Sequence, residues 1–343
     1  THKHPGFGLV EPQWLRGMMQ ATTRPITVSG SFGFGNVGDE AVLPSFARLL
    51  QAADASLTGG VKGVSRFRQA PQTDVYYMKD PASLWAQELI SDPVFLVGGG
   101  IIEPRKQSCL NRLVELRRAT QPFRIQPFAI SCEPGVRFGF RERRRLRAAL
   151  AHLPQVLVRD EVSQAALEPL IDRPVRVVGD IVLWLEPGPL PEMPPLPECY
   201  IAVSLADVWT DRGFFDWLAA DLAETARRIG AHVLLVPISN AVGRDVEQHR
   251  ALAQDIRERH GVPAQLCDFD GARFPKAQWI ASVYQRAALV VASRLHGCVM
   301  AYAQKTPFVG IGYHPKLLGF ARTVGWEAAL LPRHIPARQS SGS

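Results

Sequence analysis

The stretch that decides the fold lies near the N-terminus, at residues 26–51: ITVSGSFGFGNVGDEAVLPSFARLLQ. Its apolar, β-branched start predicts a strand over residues 26–30, and its second half predicts a helix over residues 40–51. The glycine-rich segment between them lets the backbone approach a ligand closely, and a helix N-terminus favours anions. The glycine spacing differs from the dinucleotide fingerprint, and no Gly-Lys-Ser/Thr follows, which excludes a P-loop. A tight strand-to-helix turn without a ligand remains an equal alternative.

Alternation of short apolar segments with helical patterns continues through most of the chain. Further strands are predicted at residues 94–97, 124–131, 156–159, 175–178, 200–204, 232–237, 288–292 and 308–311. Further helices are predicted at residues 111–120, 141–152, 214–229, 246–260 and 295–304. Strands separated by helices in this way indicate βαβ units and buried parallel sheets.

One proline-rich segment interrupts the pattern. Residues 186–198 contain six prolines in thirteen positions, a density that continues neither a helix nor a central strand. We therefore predict an α/β protein with an N-terminal Rossmann-like domain at residues 1–185, a stiff linker at 186–198 and a C-terminal Rossmann-like domain at 199–343. Ligands commonly bind in the cleft between two such domains.

Composition narrows the class of protein. Of 343 residues, 46% are hydrophobic and 21% charged, and no apolar run approaches the roughly 20 residues needed to cross a bilayer. The N-terminus lacks an apolar signal core, and the five cysteines form no CxxC pair. These features predict a cytoplasmic protein with reduced thiols and no metal site, whereas the choice between monomer and homo-oligomer stays open.

Positive charge is concentrated in one part of the chain. The net charge is +7, and residues 100–150 hold twelve Lys and Arg against four Glu. One basic stretch around a predicted helix comprises Arg137, Arg141, Arg143, Arg144, Arg145 and Arg147. It is an ordinary solvated face or a peripheral docking face for the anionic inner membrane leaflet, with Trp14 and Leu15 as an apolar anchor. A nucleic-acid-binding function is a weaker hypothesis, because aromatic residues are sparse there and no known module is present.

Ionisable residues follow several of the predicted strands. Arg159 ends one strand, where its planar fork suits a carboxylate or phosphate, although a surface pair with Asp160 is the more common arrangement. Asp160 is expected to cap the next helix, and Asp39 either caps a helix or activates a substrate. The three glycines at residues 98–100 follow another strand and suit the mouth of a cleft.

Two further junctions carry positive charge. Ser293 is expected to cap a helix whose first turn holds Arg294 and His296, and Pro315 is expected to start a helix with Lys316 near its N-terminus. A nearby arginine and a helix N-terminus both disfavour a protonated imidazole at His296 unless an anion compensates. Together the cationic residues form a predicted pocket for a small polyanion.

These stretches, in this order, resemble the polysaccharide pyruvyl transferase family. The matching segments are GFGNVGDEA at residues 33–41, LVGGG at 96–100, VRDEVS at 158–163, SRLHGCVMA at 293–301 and GYHPKLLGF at 312–320. The resemblance spans residues 26–326 and implies a GT-B-like arrangement, phosphoenolpyruvate as donor, and no metal or other cofactor. The sequence departs from the family's pattern at His314, where we expect Asp.

The resemblance assigns expected roles to individual residues. It implies that Arg159, His296 and Lys316 are donor-binding and catalytic positions, with Arg294 beside them. We expect His296 to transfer a proton at the donor, either to C3 or to the departing phosphate. Asp39 is a second catalytic candidate, which would activate the acceptor hydroxyl. The predicted substrate-binding residues are Arg159, Arg294, Lys316, Asn36, Gly99 and Gly100.

The resulting hypothesis is a transferase that moves a pyruvyl group from phosphoenolpyruvate to a sugar of a cell-surface polysaccharide or its lipid-linked precursor. The expected partners are the donor and a glycan acceptor, without nucleic acid. The alternative is a nucleotide-sugar-dependent GT-B glycosyltransferase, which would share the fold and the cleft.

Overall fold

The computed structural model describes most of the chain. It covers residues 10–16, 18, 25–30, 35–54, 60–65, 75–77, 93–98, 102, 125–135, 138–206, 212–239, 244–267, 269, 276–312 and 314–331. The predicted helix at residues 111–120 and the candidate residues Gly99 and Gly100 lie outside these ranges. None of the helices within them is long and apolar enough to span a bilayer.

The first half of the chain builds a parallel sheet. Its strands are β1 (Ile26–Ser29), β2 (Val61–Ser65), β3 (Val75–Tyr77), β4 (Val94–Val97) and β5 (Ile125–Phe128), in the order β3-β2-β1-β4-β5. A parallel pair, β6 (Val156–Val158) and β7 (Val175–Val177), continues from it through a bridge between Ile130 and Val158. The helices of this half are α1 (Val37–Ala53), α2 (Phe140–Leu150) and α3 (Glu161–Leu167).

The second half builds another parallel sheet. Its strands are β8 (Tyr200–Ser204), β9 (His232–Leu235), β10 (Ala264–Leu266), β11 (Leu289–Ala292), β12 (Phe308–Ile311) and β13 (Leu330–Leu331). Their order is β10-β9-β8-β11-β12-β13. The helices are α4 (Arg212–Ile229), α5 (Arg244–His260), α6 (Ala277–Arg286), α7 (Leu295–Ala303) and α8 (Pro315–Val324).

The strand predicted at residues 124–131 is shorter in the structure, where β5 ends at Phe128. Ala129 adopts a positive φ of 52°, which interrupts the extended backbone. Beyond it, Ile130 pairs with Val158 of β6 instead of continuing beside β4. This shift carries Glu133 toward the junction of the two halves.

The proline-rich segment lies between the last strand of the first half and the first strand of the second, and it contains no helix or strand. It is fastened to α6: Gly188 N donates to Gln278 O at 3.1 Å and to Ser282 Oγ at 3.0 Å. Leu190, Met193 and Leu196 pack against the core. The segment is therefore an ordered strap, whereas the domain boundaries drawn at residues 186 and 198 stay a prediction.

A single apolar cluster extends through both halves. Phe46 and Leu49 of α1 belong to the same buried cluster as Ile280 and Tyr284 of α6. Helix α1 also packs against the short 3₁₀ helix Ile181–Trp184. The N-terminus of α1 is consequently held at the place where the two sheets meet.

Candidate functional site

The N-terminus of α1 is capped by Asn36. Asn36 Oδ1 accepts from Gly38 N at 3.1 Å, and Asn36 Nδ2 donates to Asp39 Oδ2 at 3.0 Å. The suggestion that Asp39 itself caps this helix is wrong, because Asp39 lies within the first turn. Val37 N also donates to Ile238 O at 2.9 Å, a main-chain bond between the two halves. Asn36 therefore orients the Asp39 carboxylate in a fixed first turn.

Arg159 lies at the end of β6 with only 3% of its surface exposed. Its Nε donates to Asp160 Oδ2 at 2.8 Å, and Asp160 Oδ1 accepts from Ser163 N at 2.7 Å, so the predicted capping of α3 by Asp160 is confirmed. The pair with Asp160 is buried, not on the surface. Within the described residues, Arg159 Nη2 is buried without a hydrogen-bond partner.

Burial alone would raise the pKa of Asp160, but interactions with its neighbours lower it by more. The Arg159 guanidinium and the hydrogen bonds from Ser163 hold the pKa of Asp160 below its usual value. Asp160 therefore stays a carboxylate and fixes one edge of the Arg159 guanidinium. The Nη2 group of Arg159, which has no partner among the described residues, keeps N–H donors that can bind an additional anion.

Asp180 joins Arg159 to the second half of the chain. Its Oδ1 accepts from Val182 N at 2.9 Å, whereas its buried Oδ2 lies 3.7 Å from Arg159 Nε and 3.8 Å from His296 Nε2. Our sequence analysis missed this residue. It follows β7 in the segment Val178-Gly179-Asp180, at the kind of strand end that drew attention to the other site residues.

His296 lies in the first turn of α7 with its side chain 12% exposed. The expected cap at Ser293 is wrong: the cap position is Arg294, and Ser293 Oγ accepts instead from Ala206 N at 2.7 Å. The imidazole packs directly against the backbone of Gly38 in α1, where a Cβ atom would lie 2.5 Å from His296 Cβ. Gly38 of the first half and His296 of the second half are therefore in direct contact.

Burial shifts the pKa values of the two central ionisable groups in opposite directions. It lowers the pKa of His296, an effect opposed by Asp180 and Asp39 and reinforced by Arg159 and Lys316. It raises the pKa of Asp39, an effect opposed by His296, Lys316 and Arg159. Burial thus favours the uncharged form of each group, while their mutual attraction favours the charged forms.

Lys316 is positioned by the start of α8, as its sequence indicates. Pro315 is the first residue of the helix, and His314 caps it by accepting from Lys316 N on Nδ1 at 3.2 Å. His314, at the position where we expected Asp, is therefore the residue that caps α8. Lys316 Nζ forms an ion pair with Glu133 Oε1 at 2.5 Å, so a carboxylate from the first half faces this lysine.

Arg294 is bound to a different carboxylate. Its Nε and Nη2 donate to Asp245 Oδ2 and Oδ1 at 3.0 and 2.7 Å. Beside this pair, the buried His249 donates from Nδ1 to Asp245 O and accepts from Leu205 N on Nε2 at 3.0 Å. Burial lowers the pKa of His249 to about 4, so its imidazole is neutral. The structure places Arg294 in a fork with Asp245, and its predicted contact with substrate stays a prediction.

The structure therefore brings Asn36, Asp39, Arg159, His296 and Lys316 to one junction. Gly98, at the end of β4, has a φ of 94°, which only glycine adopts readily, and it packs against Val42 of α1. Within the described ranges, no group of three or more His, Cys, Asp or Glu side chains is arranged to hold a metal ion.

The contact between Gly38 and His296 gives a testable prediction. In Gly38→Ala the new methyl group collides with the imidazole and with Cβ, so the α7 backbone must shift. Such overpacking costs ~1–3 kcal/mol of stability, and displacement of His296 is expected to lower kcat at least ~10-fold. The control is Gly139→Ala, whose methyl group would meet only an ordinary contact at 3.5 Å. Normal turnover in Gly38→Ala, measured with its thermal stability, would show that the position of His296 does not matter.

Fold and site together define a GT-B-like α/β protein. Its two parallel sheets are consistent with two Rossmann-like domains, and the ionisable residues gather where the two halves meet. The model of the polysaccharide pyruvyl transferase family matches residues 36–315, and the chain belongs to that family. Membership supports a role in polysaccharide pyruvyl transfer.

Solved structures with the same fold are distant in sequence. An uncharacterized protein from Klebsiella pneumoniae is 10% identical, with 94% of this chain and 97% of that chain covered and a TM-score of 0.50. The UDP-GlcNAc 2-epimerase of Methanocaldococcus jannaschii is 8% identical, with 90% and 88% covered and a TM-score of 0.51. At these identities the likeness concerns the fold alone. No curated protein sequence matches the chain.

Proposed function

We propose that the protein transfers the pyruvyl group of phosphoenolpyruvate to two hydroxyls of a glycan, forming a cyclic ketal and releasing phosphate. The observation that carries this proposal is the buried Arg159, whose Nη2 has no hydrogen-bond partner among the described residues. An unpartnered guanidinium nitrogen in the protein interior costs free energy unless a ligand completes it. A carboxylate or phosphate oxygen is the matching acceptor.

The charges around Arg159 suit a small polyanion. Phosphoenolpyruvate carries a carboxylate and a phosphate, together roughly three negative charges near neutral pH. Arg159 and Lys316 lie on opposite sides of the junction, and both act electrostatically on Asp39 and His296. The N-termini of α1, α7 and α8 add their positive dipole ends. Arg159 and Lys316 would hold the donor, and Lys316 would exchange Glu133 for it.

The first chemical step is protonation of the donor at C3. Its =CH2 group becomes a methyl group, and C2 takes on oxocarbenium character. His296 is the proposed proton donor, because it is the buried imidazole at the junction. A bound anion raises the pKa of a neighbouring imidazole, so donor binding counters the effect of burial and protonates His296 where the proton is needed. Asp180, 3.8 Å from His296 Nε2, would stabilise the imidazolium.

The second step forms the ketal. One sugar hydroxyl adds to C2, and a second hydroxyl replaces the phosphate at the same carbon. The two hydroxyls release two protons: one restores the proton that His296 gave to C3, and the other leaves with phosphate. Asp39, with a pKa raised by burial, is the proposed base for an acceptor hydroxyl. The reaction is balanced without an oxidant or a second substrate beyond the glycan.

The proposed function is tested by supplying phosphoenolpyruvate with a panel of free and lipid-linked glycans. We expect phosphate release that depends on one acceptor class, with a methyl singlet of the new ketal in the product's proton NMR spectrum. The same panel with nucleotide sugars serves as the competing assay. Release of a nucleotide, with phosphoenolpyruvate unused under every acceptor, would replace pyruvyl transfer by glycosyl transfer.

A further inference from the structure

The start of α2 presents an aromatic ring to solvent. Phe140, its first residue, is 83% exposed, more than any other large hydrophobic residue in the described part of the chain. Phe138, by contrast, packs against the core. The apolar anchor expected at Trp14 and Leu15 is wrong, because Leu15 is completely buried and Trp14 packs against the core. Phe140 is therefore an apolar side chain that the described part of the chain leaves largely uncovered.

Arginines surround Phe140 on the same helix. Helix α2 buries Leu146, Ala149 and Leu150, and its exposed residues include Arg141, Arg143, Arg144, Arg145 and Arg147. Phe140 and Arg144 lie one turn apart on the outward side. Arg147 binds Asp172 at 3.3 Å and Leu170 O at 3.2 Å, which fastens the helix to the domain. No ion pair with a described residue engages Arg141, Arg143, Arg144 or Arg145.

The only acidic residue of α2 offsets one of these positive charges. Glu142 Oε2 accepts from Gly139 N at 2.8 Å, so it completes the N-terminal turn of the helix. The outward side combines four arginines that form no ion pair with a described residue and one projecting aromatic ring. We call the residues Phe140, Arg141, Arg143, Arg144 and Arg145 the arginine face.

The arginine face starts at the same edge of the first-half sheet as the site residues. Strands β5 and β6 belong to parallel pairings, so the helix between them starts at the carboxyl edge of the sheet and runs back. Arg159 follows β6 at this same edge, and Glu133, the partner of Lys316, precedes Phe140 by seven residues. Seven residues span at most roughly 25 Å.

We propose that the arginine face docks the protein onto an anionic lipid bilayer, with Phe140 inserted among the headgroups and the arginines against lipid phosphates. The positive charge of the arginine face is complementary to anionic lipid headgroups. The single projecting ring of Phe140 favours a bilayer over nucleic acid, because an aromatic side chain can insert among headgroups, whereas binding of single-stranded nucleic acid uses several aromatic side chains on which successive bases stack. The proposal does not rest on pyruvyl transfer. If both hold, the docked protein would have its site close to a membrane-borne acceptor.

Sedimentation with vesicles tests the docking. We expect binding to phosphatidylglycerol–phosphatidylcholine vesicles, little binding to pure phosphatidylcholine, and weakening at high salt. The variant Arg141→Gln/Arg144→Gln/Arg145→Gln should bind the anionic vesicles at least ~10-fold more weakly. Phe140→Ala should weaken binding even at high salt, where the arginines contribute least.

The matched control removes the same charge elsewhere. The variant Arg228→Gln/Arg250→Gln/Arg286→Gln loses three exposed arginines of the other half and should bind as the unmodified chain does. An equal loss in both triple variants would show attraction by net charge alone and overturn the proposal. Equal binding to both vesicle types would also overturn the proposal. Displacement of the protein from vesicles by duplex DNA that binds the arginine face more tightly would overturn it as well.

Discussion

Turnover should fall by at least ~10²-fold when His296 is replaced by alanine, because a positioned proton donor contributes ~10²–10⁴ in rate. His296→Gln should lose nearly as much, since glutamine fills a similar space but its amide cannot act as a proton donor to carbon near neutral pH. The Michaelis constant for phosphoenolpyruvate should change less than kcat, because the imidazole acts on the reacting carbon. Both constants are measured by phosphate release at saturating acceptor.

His152→Gln is the control for this experiment. His152 is an exposed histidine whose Nε2 lies 2.9 Å from Ile125 O, and its replacement should leave turnover unchanged. Circular dichroism and thermal unfolding show whether the His296 variants keep the fold. Folded His296→Gln protein with near-normal kcat would assign the imidazole to packing against Gly38 and leave proton transfer to another group.

Loss of the Arg159 guanidinium should act mainly on donor binding. A charge-assisted contact of ~1.5–3 kcal/mol corresponds to a roughly 10- to 100-fold rise in the Michaelis constant for phosphoenolpyruvate in Arg159→Ala. The same substitution leaves Asp160 and Asp180 buried without their counter-charge, which costs ~3–5 kcal/mol of stability. Arg159→Lys is therefore the more informative variant, because it keeps the charge and removes the Nη2 donor.

We expect Arg159→Lys to remain folded and to bind phosphoenolpyruvate at least ~10-fold more weakly, since an ammonium group cannot reproduce the fork. Isothermal titration with phosphoenolpyruvate measures this without an acceptor. Arg259→Lys, at an exposed arginine that pairs with Asp216 and Asp255, is the matched control. Unchanged donor affinity in folded Arg159→Lys would remove Arg159 from the donor site.

Most of the fold was accessible from the sequence because the pattern is local. Residues 94–97, 200–204 and 308–311 are strands over the full predicted lengths, since short β-branched runs between helices have few other structures available. Helix α1 begins three residues earlier than predicted, at Val37, because Asn36 supplies its cap. The early end of β5 was not predictable, since alanine gives no sequence signal for a positive φ.

The site was predictable in part, because several of its residues also follow local sequence patterns. Arg159, His296 and Lys316 stand at strand-to-helix junctions, and parallel topology gathers such junctions. Their partners come from tertiary contacts that no local pattern reveals: Glu133 reaches Lys316 only after β5 has ended early, and Asp245 reaches Arg294 from α5. Asp180 had a local signal, Gly-Asp after a strand, but it stands beside the proline-rich segment that drew the interpretation toward a linker.

The shared apolar cluster makes the two halves thermodynamically coupled. Phe46 of α1 and Tyr284 of α6 are both completely buried within it, so unfolding either half would expose apolar surface belonging to the other. Cooperative melting of the whole chain follows, in place of independent melting of two modules. The main-chain bond from Val37 to Ile238 adds to this coupling at the site itself. A destabilising change in the distant strands of one sheet therefore lowers the population of intact sites, even when every residue at the junction is unchanged.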